Sequence, residues 1–275
     1  MVKVSFFLIT LAGLFFQTAC NQHPAGEDDR QPEPETAETA VAGKPDPPKP
    51  ENTRMEFDLS YVMGQFDPAA HPDFVQVDLE FANREGMYLR KDTYEAFKKM
   101  AAAAQADGVK LKIISATRNF NQQKQIWEAK WTGARTLEGG ESAPTAYPKA
   151  RDRAMAILRY SSMPGSSRHH WGTDVDLNNL NNVFFDKGEG KTTYDWLKEN
   201  AAAFGFAQPY TAGRPFGYNE ERWHWSYLPV ATQLTKMAQD SLADQMIKGF
   251  KGAETAAEIQ IVERYVLGIN PECLP

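Results

Sequence analysis

Apolar and polar residues alternate differently in three stretches of the chain. Residues 4–16 are predominantly apolar. Residues 21–54 contain no aromatic residue and are dominated by Pro, Glu, Asp, Thr and Ala. From Phe57 onward, apolar positions recur with the periods of helices and strands. Phe97, Met100, Ala101 and Ala104 share one helical face, which predicts a helix over 92–106. Asp92 is placed to cap it, Glu95 follows three residues later and Gly108 stops it. The alternation in "VKLKIIS" predicts a strand over 109–115. "TRNFNQQKQIWEAKW" reads as a turn entering a second helix, and the Gly-Gly and Pro within 130–146 predict a loop. A helix around 150–160, short strands at 173–177 and 223–227, and helices at 231–247 and 254–267 complete the pattern. Helices and strands mix without repeats and without a βαβ rhythm, so the class expected is α+β.

The first two stretches change the picture of where the protein works. Lys3 precedes an apolar run too short for the roughly 20 residues of a membrane-spanning helix. "QTAC" follows at 17–20, completing the layout of an export signal. It is similar to a bacterial lipobox, which implies lipidation at Cys20 and anchoring in a membrane. It departs from that pattern at Gln17, where Leu is usual, and plain secretion is the alternative. The only other cysteine is Cys273, so a lipidated Cys20 leaves no intrachain disulfide. The organisation expected is a signal peptide over 1–20, a disordered linker over 21–55, a folded domain over 56–229 and a helical C-terminal extension over 230–275. Net charge is −6 and no basic stripe is present, which excludes a nucleic-acid partner. A monomer facing the periplasm or cell surface is expected.

The chemistry concentrates in "SSRHHWGTDVDL", residues 166–177. In an extended segment Asp174 and Asp176 point to one face, and Gly172 permits a turn between them and His169. Imidazole and carboxylate together suit zinc. The third donor in reach of the pattern is His224, within "NEERWHWSY". Catalytic zinc keeps three protein ligands and an open position, which assigns His169, Asp176 and His224 as ligands and Glu221 as base. Regular extended spacing would put Glu221 and His224 on opposite faces, so the chain must turn just before the strand. Spacing alone leaves a second reading open, in which these histidines are surface or satisfied core residues.

"PGSSRHHWGTDVDL" together with "ERWH" resembles the VanY-type D-alanyl-D-alanine carboxypeptidases. These are zinc peptidases of bacterial cell walls, in the lysostaphin/D-Ala-D-Ala peptidase/hedgehog group. Pro164, Gly165, Ser167, His169, Gly172 and Asp176 match the first element in order; Glu221, Trp223 and His224 match the second. Ser115, Arg118 and Gln123 match an upstream strand, turn and glutamine. The resemblance spans roughly residues 57–229. It implies a small antiparallel sheet with flanking helices carrying a zinc site, and hydrolysis of the terminal D-alanine of peptidoglycan stem peptides. Arg118 would act on the oxyanion or the substrate carboxylate, with Gln123 and Ser167 as further substrate contacts. Asp174 stands where the family has Ala; it either competes as a ligand or orients a histidine, and the spacing from His169 favours orientation. Asn119 and Phe120 also depart from the pattern. His170 is expected to point away from the metal, and Trp223 and Trp225 to pack around the site. L,D-carboxypeptidase or cross-link endopeptidase activity, and a zinc-stabilised wall-binding lipoprotein without turnover, are the alternatives. Glu221 argues against the last, because a purely structural site needs no base.

Overall fold

The computed structural model describes residues 57–275. The expected export signal, Cys20 and the linker lie outside the described residues.

One four-stranded antiparallel sheet positions the site. The chain begins with a single helical turn, α1 (Leu59–Val62), and a two-stranded antiparallel ribbon, β1 (Phe74–Gln76) with β2 (Tyr88–Arg90). Helix α2 (Lys91–Ala106) leads to β3 (Ile113–Ser115), and α3 (Phe120–Thr132), α4 (Ala143–Ala146) and α5 (Ala150–Ile157) follow. A 3-10 turn (Arg168–His170) enters β4 (Asp174–Leu177). Helix α6 (Gly188–Asn200) then precedes β5 (Phe206–Ala207) and β6 (His224–Tyr227), and α7 (Leu228–Ser241) and α8 (Ala256–Ile259) close the chain. Strand order in the main sheet is β3-β4-β6-β5. The observed class is α+β with a small antiparallel sheet, as the alternation of periods predicts.

Two apolar layers sandwich this sheet, and the period of two along each strand decides what each layer receives. Val175, Leu177 and Trp225 face a cluster with Phe97 and Met100 of α2 and Leu197 of α6. The intervening residues Asp174, Asp176, His224 and Ser226 are polar and buried, on the opposite face. Beyond that face lies a second cluster built from α3, α5, α7 and the C-terminal segment, including Trp127, Ile157, Leu234 and Ile259. Residues 230–275 thus contribute to the same core as α3 and α5.

Several boundaries differ from the sequence pattern, each for a physical reason. Asp92 does not cap α2. Arg90 is buried and takes its carboxylate by two donors, at 3.2 Å from Nε and 3.0 Å from Nη2. The strand predicted over 109–115 pairs only at its end. Asn178, at φ +61°, has its side chain accept the Lys112 N–H at 3.1 Å, replacing a ladder bond. The loop predicted over 130–146 holds the end of α3, stopped at Gly133, and the one-turn helix α4 with Pro144 in its first turn. Helix α7 starts three residues earlier than the pattern suggests, because Pro229 sits in its first turn, where no N–H is required. The helix predicted over 254–267 is broken at Gln260, at φ +58°, and resumes as a π turn (Val262–Val266). There the Asp244 carboxylate accepts the Val262 N–H at 2.9 Å. Helix α6, the turn α1 and the short strands β1, β2 and β5 have no counterpart in the predicted elements.

Candidate metal centre

Register brings the site together. In the ladder, Ser115 pairs with Asp176 and Asp176 with His224, so three side chains from β3, β4 and β6 stand in a row. Directly opposed residues share a face and approach closely. His169 arrives from the 3-10 turn, and its ring meets that of His224 at a centroid distance of 4.7 Å. Glu221 reaches the same point through a turn: the His224 N–H donates to the Glu221 carbonyl at 3.2 Å. That turn is the bend required by the spacing of Glu221 and His224.

The two adjacent histidines are held differently. His169 Nδ1 donates to the Ala116 carbonyl at 2.9 Å, which leaves Nε2 facing Asp176 Oδ2 at 3.3 Å. His170 Nε2 accepts the Gly165 N–H at 3.0 Å and its Nδ1 donates to the Arg118 carbonyl at 2.6 Å. Burial pushes the His170 pKa down to about 3, so the ring is neutral and staples the histidine loop to the Arg118 segment. The loop geometry depends on Gly172, at φ +75°, where a Cβ would stand 2.4 Å from the Phe74 ring.

His224 is gripped from both sides. Its Nε2 lies 2.9 Å from Asp174 Oδ1, and its Nδ1 faces Asp176 Oδ1 at 3.2 Å and Glu221 Oε2 at 3.4 Å. Asp174 thus meets the His224 nitrogen on the far side of the ring from Asp176. Burial opposes charge on His224, but the carboxylates of Asp174, Asp176 and Glu221 around it outweigh that and hold its pKa well above the ordinary value. What favours a proton there equally favours a cation. On Asp176, burial opposes ionisation, yet His169 and His224 keep its carboxyl well below the usual range. On Glu221, burial dominates and pushes the carboxyl up.

These donors fit zinc. One donor atom each from His169, Asp176 and His224 lie within 4.8 Å of one another. Asp176 Oδ1 is buried with no hydrogen-bond partner, an arrangement that is costly unless a cation completes it. The 3.2–3.3 Å separations are ones that bonds of about 2 Å to a common ion would span. Both imidazoles have their remote nitrogen committed to an acceptor, the usual support of a ligating histidine.

The remaining predicted residues separate into two groups. Arg118 lies 3.8 Å from Asp176 Oδ2 and donates to Ser115 Oγ and to Gln123 Oε1, the latter at 2.9 Å. Gln123 in turn donates to the Ser162 carbonyl at 2.8 Å, so it fixes the guanidinium. Arg118, Gln123, Glu221 and the three donor residues all line one cavity of about 810 Å³. Ser167 does not reach its wall. Its hydroxyl is buried beside the 3-10 turn without a hydrogen-bond partner. Trp223 lines the cavity, while Trp225 packs in the core layer behind the sheet. Sequence reasoning missed Tyr210, whose ring lies edge-on to His224 at 4.6 Å, and Lys130, buried at the cavity wall and bonded to Glu138 and Ser161. Neither carries a motif; Tyr210 comes from the loop between β5 and β6, and Lys130 from the last turn of α3.

The site and its sheet fall within residues 86–230, which match the family model of the VanY D-alanyl-D-alanine carboxypeptidases. The chain belongs to the VanY family. Among curated proteins it is 28% identical over 204 residues to the putative carboxypeptidase YodJ of Bacillus subtilis, covering 70% of this chain and 65% of that one. It thus spans just under two thirds of the length of that relative. An uncharacterised Haemophilus influenzae protein is 30% identical over 101 residues, 30% of this chain and 74% of that protein. Among solved structures, VanYB in complex with D-alanine-D-alanine is 25% identical over 64% of this chain and 88% of that one, with a TM-score of 0.46. A vancomycin-resistance D,D-pentapeptidase VanY in complex with Zn(II) is 27% identical over 55% of this chain and 79% of that one, with a TM-score of 0.42.

Proposed function

We propose that the protein is a zinc-dependent D-alanyl-D-alanine carboxypeptidase that removes the terminal D-alanine from peptidoglycan stem peptides. The observation that carries this reading is the convergence of His169, Asp176 and His224 beside a buried Glu221 in a cavity open to substrate. Zinc in this donor set supplies Lewis acidity, which polarises a carbonyl and acidifies water toward neutrality. Glu221 accepts the proton of the attacking water, a role suited to a carboxylate whose pKa is raised by burial. It then delivers that proton to the leaving D-alanine nitrogen. Arg118, held by Gln123 and Ser115, presents fixed N–H donors to the oxyanion or to the substrate's terminal carboxylate. Export and attachment to a membrane through lipid on Cys20 would place this chemistry outside the cytoplasmic membrane, where peptidoglycan lies.

The test is digestion of purified muropeptides bearing tetra- and pentapeptide stems, read by mass spectrometry with and without a chelator. Chelator-sensitive loss of one alanine from the pentapeptide is expected. Trimming of the tetrapeptide alone would mark an L,D-carboxypeptidase. No mass change on either stem by zinc-loaded protein would overturn the carboxypeptidase reading.

A further inference from the structure

Behind His224 lies a fully buried polar network that the chemistry above does not use. Asp174 Oδ1 receives His224 Nε2–H at 2.9 Å and Arg168 Nε–H at 3.1 Å; its Oδ2 receives the Thr173 hydroxyl at 2.5 Å. Both members of the Arg168–Asp174 pair are sealed from solvent, with side-chain exposures of 1% and 0%. Arg168 donates further to Ser226 Oγ at 2.8 Å and to Thr235 Oγ1 at 3.0 Å, over the ring of Trp171. The Thr235 hydroxyl donates to the Ala231 carbonyl at 2.8 Å, so its proton is committed to α7 and its lone pair faces Arg168. Thr235 lies beyond the segment that the family model matches.

Resting on the metal-site reading, we infer that Arg168 and Thr235 are positioning residues that hold the ligand His224 through Asp174, making α7 a working part of the metal centre. A carboxylate buried without a countercharge is unfavourable. Arg168 supplies that charge from a direction no substrate can reach, because it does not line the cavity. Asp174, with each oxygen engaged, holds the proton of His224 on Nε2 and turns the Nδ1 lone pair toward Asp176 and the metal position. The cavity-side guanidinium of Arg118 attends Asp176 instead. The two aspartates touching His224 thus have separate arginines, Arg118 at Asp176 on the cavity side and Arg168 at Asp174 on the buried side.

The experiment uses the full chain and the variants Arg168→Met, Thr235→Val, Asp174→Ala and the Arg168→Met/Asp174→Ala double. Zinc dissociation constants are measured by competition with a chromophoric chelator, and the visible spectrum of the cobalt-substituted protein reports ligand geometry. Arg168→Met should weaken zinc about 10–100-fold. Thr235→Val should weaken it less but in the same direction, and both should alter the cobalt spectrum. With Asp174 already removed, Arg168→Met should add little, because its effect passes through that carboxylate. Wild-type zinc affinity and spectrum in folded Arg168→Met and Thr235→Val would overturn the inference, as would full additivity in the double variant. If Arg168→Met does not fold, the near-isosteric Thr235→Val decides alone, a loss supporting the inference and wild-type affinity refuting it. Wild-type protein that binds zinc but leaves muropeptides intact would refute the proposed function only; wild-type protein that binds no zinc would refute both.

Discussion

His169 and His170 are chemically identical neighbours with opposite tasks, and the difference lies in which nitrogen meets which carbonyl or N–H. One leaves a lone pair over Asp176; the other spends both nitrogens on backbone. Glu221 differs from both in being raised by burial, which suits proton transfer. Glu221→Gln keeps the size and the donor set but loses the base. Turnover should fall about 10²–10⁴-fold, while zinc content measured by atomic absorption stays at one ion per chain. Unchanged turnover would remove Glu221 from the mechanism. Cys273 shows burial acting on a group without a catalytic part. Its thiol is pushed up to about 11 from an ordinary 9. At pH 8 it is protonated and shielded, so a Cys20→Ser chain should react with a disulfide-exchange reagent only after denaturation. The buried neutral thiol favours folding fully below pH 9, and that contribution should be lost as pH rises from 9 to 11. Rapid labelling of the native thiol at pH 8 would contradict the burial.

At the scale of elements, the sheet carries the design. Ser115, Asp176 and His224 align because three strands pair in one register, and a one-residue slip would turn the ligands toward Phe97 and Met100. The turn between His169 and β4 is fixed by Gly172, whose φ of +75° and contact with Phe74 leave no room for a side chain. Gly172→Ala should cost about 2–5 kcal/mol, combining left-handed backbone strain with overpacking. Denaturant unfolding measures it, and a loss under about 1 kcal/mol would mean that the turn relaxes freely. The longer helices α2, α3, α5 and α7 and the strands that carry the site were legible from periodicity: the α2 face of Phe97, Met100, Ala101 and Ala104 is buried as its spacing requires. Helix α6 was not, because it buries Thr193 and Gly190 beside Trp196 and Leu197, and a face half made of small and polar residues carries a weak hydrophobic stripe. The end of the chain was misread as one helix because its composition suits a helix, while Asp244 captures the Val262 N–H and the chain breaks at Gln260.

At the scale of the whole molecule, two apolar layers press a polar sheet face between them, and the candidate metal centre sits where that face opens to the cavity. Attachment is argued at this scale too. If Cys20 carries lipid, the full chain expressed in a bacterial host should sediment with membranes, and Cys20→Ser should release it to the soluble fraction. Equal distribution of both forms would favour plain secretion. The sequence by itself determined the donor types, their order and their spacing: His169, Asp176, Glu221 and His224 follow from local motifs in which alternation along a strand and one turn set direction. It also determined the α+β class, since the periods of apolar residues record which local structure can bury them. Only the tertiary structure decided that Tyr210 and Lys130 belong to the cavity. It alone joined Arg168 to Thr235 across 67 residues. Such contacts leave no periodic trace, because a buried polar partner is chosen by where the folded chain places a matching donor or acceptor, and that place is fixed only once both layers have packed.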